Sequence, residues 1–111
     1  MIIKNGILER THMTNYRRGR DAEYDLKRIL EQNHWRCIRS AGSKGPVDLV
    51  AFNKHGRVRM IQVKREKKEK SYLKDIREIQ DLRVLYPAFS WELWLKKDGG
   101  NFRRIDEEAD A

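Results

Sequence analysis

Arg39-Ser-Ala-Gly-Ser-Lys-Gly-Pro-Val-Asp-Leu-Val-Ala-Phe-Asn-Lys-His-Gly-Arg-Val-Arg-Met-Ile-Gln-Val-Lys64 contains two apolar runs joined by a short turn. Val47 to Asn53 is rich in Val, Leu, Ala and Phe, and Val58 to Val63 is apolar except for Arg59 and Gln62. Lys54-His55-Gly56 lies between them, and Gly56 can take the positive φ that closes a three-residue hairpin loop. A turn centred on His55 puts Asp48 opposite Gln62; a bulge at Gly56 would shift this by one residue. Gln62 and Lys64 are two apart and project from one face of their strand. The hairpin therefore gathers a carboxylate, an amide and an ammonium at one spot.

A carboxylate in an apolar strand requires a cation or a metal beside it, because burying it alone is costly. One reading of Asp48 is a structural ion pair with Lys64. A second acid bears on the choice. Arg17 to Asn33 has helical spacing, with Ala22, Leu26, Ile29 and Leu30 on one stripe, and Glu23 belongs to that stripe. Alone, Glu23 is either a helix-end acid favoured by the dipole or paired with an Arg, or a functional group. Taken with Asp48, it supplies the oxygen ligands that a hard divalent cation such as Mg²⁺ prefers. The Gln62 side-chain oxygen and the Val63 carbonyl can complete the protein part. Lys64 would then stand beside the attacking water, to orient it or to offset charge on a phosphate. Electrostatically, this set suits phosphodiester hydrolysis.

The 111 residues are enough for one compact domain with a modest core. Apolar and charged residues are nearly balanced, 39% against 38%, which predicts a soluble chain with a thin core. No apolar run approaches a membrane span and no signal peptide is visible, so a membrane role is not expected. Cys37 is the single cysteine, which excludes an internal disulfide, fits a reducing compartment and suits packing. The net charge of +8 favours a polyanionic partner, most simply nucleic acid.

The remaining chain predicts an α/β domain with a mixed sheet, ordered α-β-β-β-α-β-β. Residues 1–15 are expected to be a flexible N-terminal arm, 16–106 the domain, and 107–111 an acidic tail. Trp35 to Ser40 is a short strand feeding a Ser40-Ala41-Gly42-Ser43-Lys44-Gly45-Pro46 loop with phosphate-binding side chains. A polar run from Arg65 to Lys70 leads to a helix from Tyr72 to Leu85. Its stripe is Leu73, Ile76, Ile79, Leu82 and Leu85, with Ser71 as N-cap and Pro87 as terminator. Strands follow at Trp91 to Lys97, with Trp91, Leu93 and Leu95 on one face, and at Asn101 to Ile105.

Four segments at compatible spacing carry a family resemblance: Arg18-Gly19-Arg20-Asp21-Ala22-Glu23, Arg39-Ser40-Ala41-Gly42-Ser43, Val47-Asp48-Leu49-Val50-Ala51 and Ile61-Gln62-Val63-Lys64. The chain resembles the PD-(D/E)XK nuclease superfamily, and within it the archaeal-type Holliday junction resolvases, which also occur in viruses. The resemblance runs from Tyr16 to Lys64 and continues by order of elements to Ile105. It implies a restriction-endonuclease-like sheet and metal-dependent cleavage of four-way DNA junctions by paired symmetric nicks. It also implies a homodimer and a cytoplasmic location, in an archaeal or a virus-infected cell. By position, Glu23 and Asp48 match metal-binding acids and Lys64 the catalytic lysine. Gln62, with the Val63 carbonyl beside it, would complete the metal site, with Mg²⁺ expected and Mn²⁺ possible. Arg39 matches a basic residue near the cleaved phosphate, and Arg18, Arg20, Ser40, Ser43, Lys44 and Arg65 are expected at the DNA.

Two departures stand out. The family usually has Glu where this chain has Gln62, and commonly Arg where it has Tyr24. Glu66 shares the parity of Gln62 and could substitute if the strand continues. The alternatives to a resolvase are a related nuclease for flaps or duplex, a junction-binding protein made inert by Gln62, and a basic scaffold that binds nucleic acid without selection. Apolar content in the second helix and last strands, including Trp91 and Trp94, suggests these as the dimer surface.

Overall fold

The computed structural model describes residues 15–40 and 45–107. Helix α1 (Asn15–Gln32) is followed by β1 (Arg36–Arg39), β2 (Leu49–Phe52) and β3 (Val58–Arg65), then α2 (Leu73–Leu85), β4 (Ser90–Lys96) and β5 (Phe102–Arg104). The five strands form one sheet in sequence order, antiparallel throughout except for the parallel β3–β4 pair. Helix α2 is the crossover that a parallel pair requires. The predicted order and mixed sheet therefore hold. The expected arm falls on residues 1–14, outside the described residues, and on Asn15, which opens α1; residues 108–111 of the acidic tail are also outside.

The hairpin forms in the expected register. Leu49 faces Ile61 and Phe52 faces Val58 as expected, but the ladder shifts at Asp48, whose N–H bonds to the Ile61 carbonyl. Gly56 takes φ 77°, and the Asn53 side-chain oxygen accepts from the backbone N–H groups of His55 and Arg57, closing the turn. Helix α1 ends where His34 enters the left-handed region at φ 69°, with Trp35 N–H bonded to the Leu30 carbonyl and His34 N–H to that of Glu31.

Each helix covers one face of the sheet. Ala22, Leu26 and Leu30 of α1 pack on Leu49, Ala51, Ile61 and Val63, with Trp35, Cys37, Trp94 and Phe102 around them. Ile76 and Ile79 of α2 pack on Trp91, Leu93, Leu95 and Ile105. Cys37 is a packing residue as expected, and burial pushes its thiol up to about 11.

Three expectations need correction. Helix α2 begins at Leu73 with Tyr72 as its N-cap residue, and the Ser71 hydroxyl instead accepts from Leu73 N–H, a local turn. Leu85 is exposed because steps of three fall short of a helical turn, so a stripe of threes drifts around the helix; nine positions after Ile76 it faces the opposite way. Ile76, Ile79 and Trp91 are not spare surface for a partner, because they are this chain's own core. The apolar side chains left exposed near that helix are Val84, Leu85 and Tyr86.

Candidate metal and nucleic-acid site

Asp48 marks the point where β2 leaves β3. Its backbone N–H bonds to the Ile61 carbonyl, out of step with the Leu49–Ile61 pairing, as at a bulge. The next ladder donor, Val63 N–H, bonds instead to the Asp48 carboxylate at 2.8 Å. A side chain thus replaces a backbone acceptor, and β3 runs on to Arg65 with β4 beside it on the other edge. The Val63 carbonyl, on the same edge as its N–H, points to the side that β2 has left. The resulting crevice has a volume of about 970 Å³. Glu23 enters it from α1, and Asp48, Gln62, Val63, Lys64 and Arg65 from the hairpin.

The two carboxylates sense each other. Burial raises the Glu23 carboxyl above its ordinary range, and the Asp48 charge adds to the rise, while Arg39 opposes it. Burial also raises Asp48, against the Val63 N–H bond and the charges of Lys64 and Arg39. Paired acids held partly out of water favour a cation between them. Gln62 is 7% exposed, and its side-chain oxygen has no hydrogen-bond partner. A buried acceptor without a donor, beside two carboxylates, is an oxygen-only donor set that fits a hard divalent cation. Among the described residues no group of three or more His, Cys, Asp and Glu side chains could hold a metal. Two acids and an amide fall short of that count because an amide is not among those side chains.

Lys64 forms an ion pair with Asp75 of α2 at 3.8 Å and reaches Asp48 through its charge. The ion-pair reading of Asp48 with Lys64 therefore gives way to a backbone donor for Asp48 and a helix acid for Lys64. Asp75 was not visible as a partner, since nothing in the spacing links α2 to β3; its place in the first helical turn was the available signal. Glu66 also lines the crevice: β3 ends at Arg65, but Glu66 N–H still bonds to the Lys96 carbonyl, which carries the strand parity one residue on.

Arg39 lies behind Glu23 and donates from Nε to Glu23 Oε1 at 2.8 Å. Its guanidinium carbon is 4.9 Å from the centre of the Tyr24 ring. Ser40 N–H bonds to the Asp48 carbonyl, at the end of β1. Arg18 lines the crevice, Arg20 is on α1 outside its lining, and Ser43 and Lys44 are outside the described residues. Lys67, Lys68, Lys70 and Lys74 extend the positive rim. Tyr72 braces this rim: its hydroxyl accepts from Lys67 N–H and donates to the Arg65 carbonyl.

A family model described as archaeal Holliday junction resolvase (hjc) matches residues 14–103. The chain belongs to the archaeal Holliday junction resolvase family. Glu23, Asp48, Gln62 and Lys64 all lie within the matched span. The crossover junction endodeoxyribonuclease Hjc of Methanocaldococcus jannaschii is 48% identical over 58 residues, which span 52% of this chain and 42% of that protein. The solved structure of Archaeoglobus fulgidus Hjc, a Holliday junction resolvase from an archaeal hyperthermophile, superposes with a TM-score of 0.58 at 26% identity. That match covers 78% of this chain and 70% of the other. No helix among the described residues is long and apolar enough to cross a membrane.

Proposed function

We propose that this chain is a divalent-metal-dependent endonuclease that resolves four-way DNA junctions by paired symmetric nicks, acting as a homodimer. The observation that carries the reading is the convergence of Glu23, Asp48, the unpartnered Gln62 oxygen and Lys64 on one crevice with a basic rim. Glu23, Asp48, Gln62 and the Val63 carbonyl would hold the ion, Mg²⁺ first and Mn²⁺ second. When bound, the ion supplies Lewis-acid stabilisation of the phosphate and lowers the pKa of water.

The chain's own groups do the rest. Asp48 is fixed by the Val63 N–H, so its carboxylate is oriented before substrate arrives. Lys64, steadied by Asp75, presents its ammonium where negative charge grows on the phosphate oxygens as water adds to phosphorus and one P–O bond breaks. Arg18, Arg65 and the lysines of the rim bind flanking phosphates, with Arg39 near the cleaved one. Arg20, Ser40, Ser43 and Lys44 belong to the same DNA-facing set in this reading. Residues 16–106 form the nuclease domain in this reading. The described residues of a single chain form one such crevice, and a junction has two-fold symmetry, which calls for two copies.

One observation favours a second reading, an inert junction binder: the site holds two carboxylates and an amide. Labelled four-way junction, flap and duplex incubated with Mg²⁺ separate the possibilities on one gel, beside a sedimentation run. Symmetric paired nicks by a two-chain species are expected. Cuts confined to flaps or duplex would reassign the substrate, and retention of the junction without cuts would favour the binder.

A further inference from the structure

The two acids of the crevice are held differently. Asp48 accepts from a backbone N–H, a neutral donor fixed by the sheet. Glu23 accepts from Arg39, a side-chain cation, with the two side chains 15% and 12% exposed. Tyr24, the next residue on α1, is 47% exposed and lies against the same guanidinium. Arg39 is therefore held between a carboxylate on one side and a ring on the other, and stacking on a ring face favours a cation there.

A divalent ion on Glu23 and a guanidinium on the same carboxylate repel each other, and in a partly desolvated site that repulsion exceeds its value in water. We infer that Arg39 is the resident counter-ion of Glu23 and competes with the divalent ion for it, with Tyr24 as the positioning residue that keeps Arg39 in place. The inference rests on the metal site proposed above. An anion that draws Arg39 away, such as a DNA phosphate, removes the competitor. Metal and phosphate then strengthen one another's binding by the same factor in either direction. The chain holds metal weakly until DNA arrives, which keeps hydrolytic chemistry tied to substrate.

Mn²⁺ titrated into the full chain without DNA, followed by relaxation of water protons, tests this apart from any cleavage. Wild type, Arg39→Gln, Tyr24→Leu and Asp48→Asn are compared after thermal unfolding has established that each is folded. Arg39→Gln should bind Mn²⁺ about fivefold or more tightly than wild type, the lower end of typical coupling between ligands. Tyr24→Leu, at an exposed ring, should shift affinity the same way by less. Binding by Arg39→Gln that is equal or weaker would overturn the proposal, since Arg39 would then orient Glu23 rather than occupy it. Equal or weaker binding by Tyr24→Leu would remove Tyr24 from the role. Asp48→Asn should lose the Mn²⁺ that wild type holds. If it binds as wild type does, the ion is elsewhere, and both the metal site and the competition fail.

Discussion

Asp48 combines two tasks at one carboxylate: it ends the β2–β3 ladder by taking the Val63 N–H, and it faces the crevice with its carboxyl raised by burial. A raised carboxyl pKa means that the fold disfavours the charged form, so ionisation at neutral pH costs stability that function retains. Asparagine keeps an oxygen for the Val63 N–H and removes the charge. Asp48→Asn should therefore abolish cleavage, leave junction binding equal or tighter, and raise the thermal midpoint by a few degrees. Unfolding of the variant, or activity that survives in it, would return Asp48 to a purely structural role. Gln62 is the complementary case. Its buried oxygen lacks a donor within the chain, an expense of about 1–3 kcal/mol that a folded protein tolerates where something else is meant to bind.

At the level of elements, β3 and β4 hold the sheet's charge inside it. Glu92 of β4 is 1% exposed and accepts two bonds from Arg59 of β3 at 2.8 Å, with Ser90 and Trp94 also donating. The Trp35 ring lies over the same guanidinium at 4.6 Å. Burial alone would raise the Glu92 carboxyl, but the bonds from Arg59, Trp94 and Ser90 together hold it below its ordinary 4.5. For an acid with a lowered folded pKa, the stabilisation is present above the unfolded value and is lost as pH falls through the folded one. Denaturant midpoints should thus decline below about pH 4.5 in wild type, on this group's account, and less so in Glu92→Gln. Glu92→Gln should itself lose about 3 kcal/mol at pH 7, because it leaves Arg59 buried without its counter-charge. A variant as stable as wild type would show the pair to be dispensable.

Elements also differ in how much of them the chain announces. The hairpin register was legible because Gly56 and the Lys54-His55-Gly56 length leave few ways to turn, and the apolar alternation penalises a slip. Asp48 and Glu23 were legible as acids in apolar stripes. The α2 stripe was misread beyond Leu82 because neighbouring steps of three look regular while the helix rotates past them. Lys64 with Asp75, Arg39 on Tyr24, and the Tyr72 brace are contacts between elements distant in the chain. No local spacing encodes them, and Tyr24 was noticed as a departure without its partner being apparent.

For the molecule as a whole, which carries a net charge of +8, seven basic side chains from Arg18 and Lys64 to Lys74 line the crevice beside six acids. Each phosphate neutralised releases counterions, so contact with about six phosphates would weaken junction affinity on the order of a thousandfold between 50 and 200 mM salt. A filter-binding series in KCl checks this. A flat salt response would mean that the rim does not face DNA. The two helices cover opposite faces of one sheet, so the crevice at its split edge is supported from both sides.

Whether a site with Gln62 in place of a third carboxylate still cuts decides between a nuclease and a junction binder. A neutral amide oxygen attracts a divalent cation less than a carboxylate does, but Glu23 and Asp48 leave two negative charges to hold it. The decisive measurement is cleavage of a labelled four-way junction across a titration of Mg²⁺ and of Mn²⁺, for wild type and Gln62→Glu side by side. Wild type should cut, with a high Mg²⁺ requirement and a preference for Mn²⁺, and Gln62→Glu should cut at lower metal concentration without new products. A wild type that cuts at no metal concentration, beside a Gln62→Glu variant that does, would contradict the nuclease reading and leave a junction binder.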